Sequence, residues 1–159
     1  MKDTFFLTVL ALVSCAGPVP IGHVAPPGID VVFGGNTASS NETFATTCGA
    51  VLVLPDEDTG ERWVEFDVSI PSSGTYRMEI VNVFAVGTLW VEDLTGPASS
   101  SPHGITGPIE VDHTIGISGS VEPPYSPARD VILKAGAHRM RLNADAPEFL
   151  VYGVRFSAE

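Results

Sequence analysis

Basic residues are scarce in this sequence, and nowhere do they cluster. The 159 residues include 8 Lys and Arg against 19 Asp and Glu, which gives a formal net charge of −11. Nucleic acids and anionic membrane surfaces are bound through groups of Lys and Arg whose contacts release counterions. The composition therefore counts against both classes of partner.

Long hydrophobic runs are also missing. The longest apolar run, residues 5–13, is shorter than the ~20 residues needed to cross a bilayer. With a short charged start before it and Ser14-Cys15-Ala16 after it, this run predicts a signal peptide or lipoprotein leader over residues 1–16. Leu12-Val13-Ser14-Cys15 resembles a bacterial lipobox, which would place a lipid on Cys15 as the only membrane attachment. Cleavage after Ala16 and retention of the leader are the alternatives.

Catalytic and zinc-binding motifs are absent as well. The sequence contains no Gly-x-Ser-x-Gly elbow, phosphate-binding glycine loop or His-Glu-x-x-His. The four histidines lack the spacing of zinc ligands and are expected at surface or loop positions; they are His23, His103, His113 and His138. We therefore predict that the chain is not an enzyme.

What the sequence does have is turn residues spread along its length, with 16 Gly and 13 Pro. Residues 17–28 carry four prolines and are predicted to be a linker. From 29 to 157, short β-rich runs alternate with turn clusters, which predicts an all-β fold, a β-sandwich of two antiparallel sheets. The predicted strands span 29–33, 50–54, 62–70, 75–84, 88–94, 109–117, 129–134, 137–143 and 148–156.

The clearest pattern lies in residues 62–80. Val64 and Phe66 begin an apolar set of one parity, and Glu65 and Asp67 begin a polar set of the other, so we expect the first set in the core and the second toward solvent. Pro71-Ser72-Ser73-Gly74 then predicts a hairpin or a corner that crosses between sheets. In the same way, Met140 and Leu142 are expected to point inward and Arg139 and Arg141 outward. The run 149–156 is apolar on both parities, which is typical of a central strand.

Three strings resemble family-6 and family-35 carbohydrate-binding modules: Trp-Val-x-aromatic-x-Val-x-Ile-Pro-x-x-Gly-x-Tyr at 63–76, Val-x-Leu-Lys-Ala-Gly-x-His-x-x-Arg-Leu at 131–142, and the aromatic-aliphatic strand at 149–156. The resemblance implies a jelly-roll of the galactose-binding-like type with a sugar cleft among loops at one edge. It implies Tyr125, Asn143 and Glu148 as members of that cleft. Such modules also hold a structural calcium between acidic residues of the opening and last strands, where this chain has Asp30 and Gly153.

Both tryptophans share parity with polar neighbours. Trp63 alternates with the core set of its strand, and Trp90 shares parity with Glu92, opposite Leu89 and Val91. We expect both rings to lie on outer faces, where an exposed indole can stack against a sugar ring; Tyr125, in a proline-flanked loop, is a third such ring. The alternative is that loops or the linker cover the tryptophans.

An acidic loop offers a candidate cation site. Asp56, Asp58 and Glu61 surround a glycine, and calcium takes six to eight oxygen ligands from loops of this kind. The same residues also suit an ordinary solvated turn. No other cofactor is indicated.

Two functions follow from these observations. The first is a non-catalytic carbohydrate-binding β-sandwich, secreted or anchored at the cell surface, with a glycan as its partner. The alternative is a structural or adhesive protein of the same fold, such as a virion decoration subunit or envelope coat component that docks through its N-terminal arm. Tryptophans on the outer face would then serve as interface anchors.

Overall fold

A computed structural model describes residues 28–33, 38–39, 44–45, 51–53, 59–81, 85–96, 101–113, 126–146 and 149–159. These residues form strands, turns and connections, with no helix among them, so none could span a membrane. The strands are β1 (Gly28–Val32), β2 (Ala38–Ser39), β3 (Phe44–Ala45), β4 (Val51–Val53), β5 (Trp63–Ile70), β6 (Gly74–Val81), β7 (Ala85–Asp93), β8 (Ile109–His113), β9 (Arg129–Leu133), β10 (Gly136–Asp145), β11 (Phe149–Val151) and β12 (Gly153–Ala158). Only the two-residue strands β2 and β3 lie where the sequence pattern indicates no strand.

The strands form two main sheets. The first has the order β1-β12-β6-β9 and the second the order β2-β5-β10-β7-β8, while β11, β4 and β3 form a small third sheet. Every pairing is antiparallel. The prediction of an all-β sandwich of antiparallel sheets is confirmed.

The turn at residues 71–74 is a corner between sheets and not a hairpin. β5 pairs with β10 and β2 in the second sheet, whereas β6 pairs with β12 and β9 in the first. The Tyr76 hydroxyl donates a 2.7 Å hydrogen bond to the Ser72 carbonyl and so holds the corner closed. β9 and β10 are divided between the sheets in the same way, with Gly136, at a φ of 134°, as the first residue of β10.

The core lies between the two main sheets and follows the alternation that the sequence predicts. On β10, Met140 and Leu142 are fully buried while Arg139 is exposed. β5 and β6 bury Val64, Phe66, Val68, Ile70, Tyr76, Met78 and Ile80. These apolar faces hold the sandwich together because burying them removes a large area from water.

The C-terminal run differs from the single strand predicted over 148–156. Tyr152 divides it into β11, which joins β4 in the third sheet, and β12, which joins the first sheet. The Tyr152 backbone donates to Val81 and accepts from Phe33, which holds the chain between the two strands. β12 is central, between β1 and β6, as its apolar sequence predicts.

Several predicted features lie outside the described residues. The leader and all of the linker before Gly28 are among them, as are Cys15 and Cys48. Gly28 itself begins β1 and so belongs to the sandwich.

The expectation of a surface or loop position is wrong for His138. Its side chain is 9% exposed, on the core side of β10. Nδ1 lies 2.7 Å from the Asp93 carboxylate and Nε2 lies 2.8 Å from the Lys134 carbonyl oxygen. Because both partners are acceptors, both ring nitrogens must carry protons to satisfy them, which requires the cationic imidazolium.

Charge and burial act in opposite directions on this ring. Burial lowers the pKa of His138, but the hydrogen bonds to Lys134 and Asp93, together with the Asp93 charge, outweigh it and leave the pKa raised. Asp93 also accepts hydrogen bonds from the backbone of Thr95 and Gly96, so the pair ties the end of β7 to the start of β10.

We expect this pair to make stability depend on pH. A raised pKa in the folded state means that the stabilisation is fully present below the unfolded value of about 6.5 and is lost as pH rises through the folded pKa. In urea unfolding measured from pH 6 upward, the wild type should therefore lose stability as pH rises through the folded pKa of His138. His138→Gln should lack this loss. His103→Gln should keep it. A wild type and His138→Gln that differ by the same free energy at every pH would contradict the assignment.

Candidate functional site

The pairing of β10 with its two neighbours brings both tryptophans into one row. Asn143 lies directly opposite Trp63 of β5 on one side and directly opposite Trp90 of β7 on the other. Opposed residues of antiparallel strands project from the same face of the sheet. With neighbouring strands ~4.8 Å apart, the two tryptophan backbones are roughly 10 Å apart across the row.

This row lies on the outer face of the second sheet, the face that points away from the first sheet. The residues next to the tryptophans along each strand, Val64, Leu89 and Val91, are fully buried in the core. Both tryptophans are half-buried. The strand alternation read from the sequence therefore places the indoles correctly, outside the core.

Trp63 is partly covered by an arginine. The guanidinium carbon of Arg141 lies 4.5 Å from the centroid of the Trp63 ring, a cation–π contact. Arg141 in turn donates to Oε1 of Glu65 from Nε at 3.0 Å and from Nη2 at 2.5 Å. Arg139 donates to Oε2 of the same carboxylate from Nε at 2.9 Å.

Glu65 is consequently not the solvated residue that its parity predicts. It lies on the outer face but is only 9% exposed, because the two arginines cover it. Burial alone raises the pKa of Glu65, but the hydrogen bonds and charges of Arg141 and Arg139 outweigh it and hold the pKa below its usual range. The carboxylate is therefore ionised at neutral pH and neutralises part of the arginine charge.

Trp90 is partly covered by the loop of residues 101–107. The His103 ring meets the indole edge-on, with centroids 5.4 Å apart and an interplanar angle of 89°. The loop is held on β7 by two hydrogen bonds, from Ile105 N–H to the Val91 carbonyl at 2.7 Å and from Val91 N–H to the Thr106 hydroxyl at 3.0 Å. Cover by a loop is the alternative to an exposed tryptophan that the sequence leaves open, and Trp90 is partly covered in this way.

The Trp90 indole N–H is buried and finds no acceptor among the residues that the structure describes. A buried donor without a partner costs free energy, on the order of 1–3 kcal/mol. A ligand hydroxyl that reached this N–H would remove that cost.

Carboxylates border the row on the β7 and β8 side. Glu92 pairs with Arg141 in the register, and Glu110 accepts a 3.0 Å hydrogen bond from the Thr88 hydroxyl. Asp112 and Asp145 occupy further positions of the same face. Because Arg139 and Arg141 are already bound to Glu65, this border leaves the face acidic.

The other residues singled out by sequence are in different situations. Asn143 is the centre of the row, and among the described residues its amide Nδ2 contacts only the Arg141 carbonyl, at 3.5 Å. Tyr125 and Glu148 lie outside the described residues. The structure therefore unites Trp63, Trp90 and Asn143 but does not place the loop residues.

The proposed cation loop is described only at its end. Asp56 and Asp58 lie outside the described residues, and Glu61 is exposed, its N–H bound to the Thr59 hydroxyl at 3.2 Å. Within the part of the chain that the structure describes, no three His, Cys, Asp or Glu side chains come together as a metal site. In the opening strand, Asp30 binds Arg155 of β12 at 2.6 and 3.0 Å, so its carboxylate is engaged by a cation of the protein itself.

Sequence reasoning missed Glu65, Arg139, Arg141 and His103 as members of this site. Strand alternation in the sequence does predict that the side chains of the first three point outward. Glu65 lies 74 and 76 positions before the two arginines, and the sequence did not show that the strand register brings them together. His103 lies in a loop, for which alternation makes no prediction.

Comparison with known proteins identifies a similar fold, whereas comparison of sequences identifies no family. No protein-family model matches the chain, and no curated protein matches its sequence. The structure is similar to the C-terminal CBM6 of the laminarinase LamC from Zobellia galactanivorans, with a TM-score of 0.56 and 14% identity, over 82% of this chain and 99% of that module. At this level the likeness establishes the β-sandwich fold.

Two further solved structures match with lower TM-scores. A CBM6 of Cellvibrio mixtus lichenase 5A, solved with cellotriose, matches with a TM-score of 0.48 and 25% identity over 78% of this chain and 88% of that module. A family 35 module from Clostridium thermocellum matches with a TM-score of 0.48 and 16% identity over 82% and 99%. The resemblance to family-6 modules that the sequence strings suggest is thus confirmed, through the Zobellia galactanivorans module, as a likeness of fold.

The loop over Trp90 can be tested through its glycines. A Cβ on Gly104, whose φ is 61°, would overlap the Val91 carbonyl, whereas a Cβ on Gly107, at 65°, meets open space. In a Trp63→Phe background, Gly104→Ala should displace the loop and make Trp90 more accessible to acrylamide, with a stability loss of about 1–3 kcal/mol. Gly107→Ala carries the same backbone strain without the overlap and should leave the quenching unchanged. Equal quenching in the two variants would show that the loop does not cover Trp90.

Proposed function

We propose that this protein binds glycans without catalysis, through the outer face of the second sheet. The observation that carries the proposal is the single row Trp63–Asn143–Trp90, which places two indoles on either side of an amide. Aromatic rings offer a sugar its apolar stacking surface, and neighbouring amide and guanidinium N–H groups offer donors to its hydroxyls. Sites for small ligands combine these two kinds of group in the same way.

The dimensions of the row suit an oligosaccharide that lies across the strands. The separation of about 10 Å between the tryptophan backbones leaves room for a polar centre between two stacking positions. Asn143 occupies that centre and Arg141 lies beside it. The sandwich fold shared with the Zobellia galactanivorans module is consistent with this role.

The charge of the face supports neutral glycans as the ligand class. Glu92, Glu110, Asp112 and Asp145 border the row, and the whole chain carries a net charge of −11. Both arginines of the face are bound to Glu65. Uronic or sulfated glycans would meet repulsion here, because like charges brought together are unfavourable.

Trp63→Ala and Trp90→Ala test the proposal. A glycan array with the wild type, followed by titration of cellohexaose, laminarihexaose and mannohexaose, defines the ligand. Each substitution should then weaken binding about 10- to 100-fold, as expected for an aromatic residue at the centre of a binding surface. Ile132→Ala is the matched control, since Ile132 is 85% exposed on the first sheet. Unchanged array profiles in both tryptophan variants would remove the glycan function.

The same row supports one other candidate, a structural or adhesive role. Trp and Arg are the residue types enriched at the centres of protein interfaces. As a virion decoration subunit or envelope coat component, the protein would use the row, the N-terminal arm or both to dock on a larger assembly. In that case the tryptophan variants lose assembly while no glycan on the array is bound.

We further propose that the chain is exported. The support is the sequence of residues 1–16, which leads either to a secreted protein or, through a lipid on Cys15, to a cell-surface lipoprotein.

A calcium ion in the loop of Asp56, Asp58 and Glu61 remains a proposal of the same kind, based on its oxygen ligands.

Intact mass of the protein from its native source tests the export proposal. We expect the loss of about 14–16 N-terminal residues, or a diacylglyceryl group on Cys15. If the lipid is present, Cys15→Ser should release the protein from the membrane fraction, and Cys48→Ser should not. An intact Met1 would contradict export and favour the assembly role.

A further inference from the structure

The Glu65 carboxylate lies beneath the proposed site without being open to a ligand. Its side chain is 11% exposed, and each of its oxygens accepts from a different guanidinium. A glycan on the outer face would therefore meet Arg139 and Arg141 before it met Glu65. Any influence of Glu65 on binding has to act through these arginines.

The two arginines are held together by Glu65, which accepts hydrogen bonds from both. They stand two residues apart on β10, on the same face, where two like charges repel. Glu65, opposite Arg141 in the register, supplies the opposite charge to both at once. A planar guanidinium that is bound along its Nε and Nη2 edge loses most of its rotational freedom.

The hydrogen bonds to Glu65 also determine which N–H groups of Arg141 are left for a ligand. Nε and Nη2 donate to Glu65, and Cζ lies over the Trp63 ring, 4.5 Å from its centroid. Nη1 makes no hydrogen bond with any residue that the structure describes. The Nη1 donors are thus left for a ligand. Holding a side chain in its binding geometry before the ligand arrives avoids an entropic cost on association.

We infer that Glu65 is the positioning residue of the glycan site: it holds Arg141 stacked on Trp63, so that the ligand meets a preassembled Trp63–Arg141 surface. This inference rests on the proposed function. It assigns the ligand contacts to Trp63 and Arg141 and assigns to Glu65 a role exercised only through Arg141.

The first experiment needs no ligand. The chain has two tryptophans, so Trp90→Phe leaves Trp63 as the single reporter. In this background, Glu65→Gln should increase acrylamide quenching of Trp63, because the uncharged amide no longer fixes the guanidinium over the ring. Asp30→Asn is the matched control: it removes a carboxylate that binds Arg155 through Nε and Nη2 on the first sheet, and it should leave the quenching unchanged.

The second experiment measures affinity for the hexasaccharide of the panel that the wild type binds. With both native tryptophans present, Glu65→Gln should weaken binding about tenfold, the cost of ordering one or two long side chains. Asp30→Asn should bind as the wild type does. Glu65→Asp, which keeps the charge but withdraws it from the guanidinium, is the second variant if thermal unfolding shows that Glu65→Gln does not fold.

The outcomes separate the inference from the function on which it rests. Unchanged Trp63 quenching in the Glu65 variants overturns the positioning role. So does unchanged affinity in a protein whose binding is reduced by Trp63→Ala. If Trp63→Ala itself leaves glycan binding intact, the proposed function fails, and the quenching result alone decides whether Glu65 holds Arg141 in place.

Discussion

The register of β10 is the constraint on which the rest of this structure depends. Met140 and Leu142 are fully buried, and they fix which residues of β5 and β7 lie opposite β10. Because the side-chain period of a strand is two, a slip of one residue would exchange the core face for the outer face. The same contacts that exclude water from the core therefore align Trp63, Asn143 and Trp90 outside it.

β10 also carries a charged network on each of its faces. On the inner face His138 binds Asp93, and on the outer face Arg139 and Arg141 share Glu65. Taking charges out of water is expensive unless their hydrogen bonds are satisfied, and both networks meet this condition through several bonds at 2.5 to 3.0 Å. Each network joins chain segments distant in sequence, so each also specifies how the strands are arranged.

The two main sheets differ in what they present to solvent. The outer face of the first sheet carries charged pairs, including Asp30 with Arg155 and Arg77 near Glu79, and its described strands place no aromatic ring outward. The outer face of the second sheet carries both tryptophans, each in contact with a polar side chain. Half-buried aromatics grouped on one face need an explanation beyond packing, whereas a ladder of opposite charges is an ordinary solvated surface.

Alternation within each strand was enough to predict the core residues of β5, β6 and β10 and the outward direction of Trp63 and Trp90, because side-chain direction is a local property of the extended chain. Local pattern did not distinguish a hairpin from a corner at Pro71, divide the C-terminal run at Tyr152, or bury Glu65 and His138. Those outcomes depend on which distant strands become neighbours. That choice is made by the packing of the whole core, and only the tertiary structure reveals that Trp63 and Trp90 share Asn143 as a neighbour.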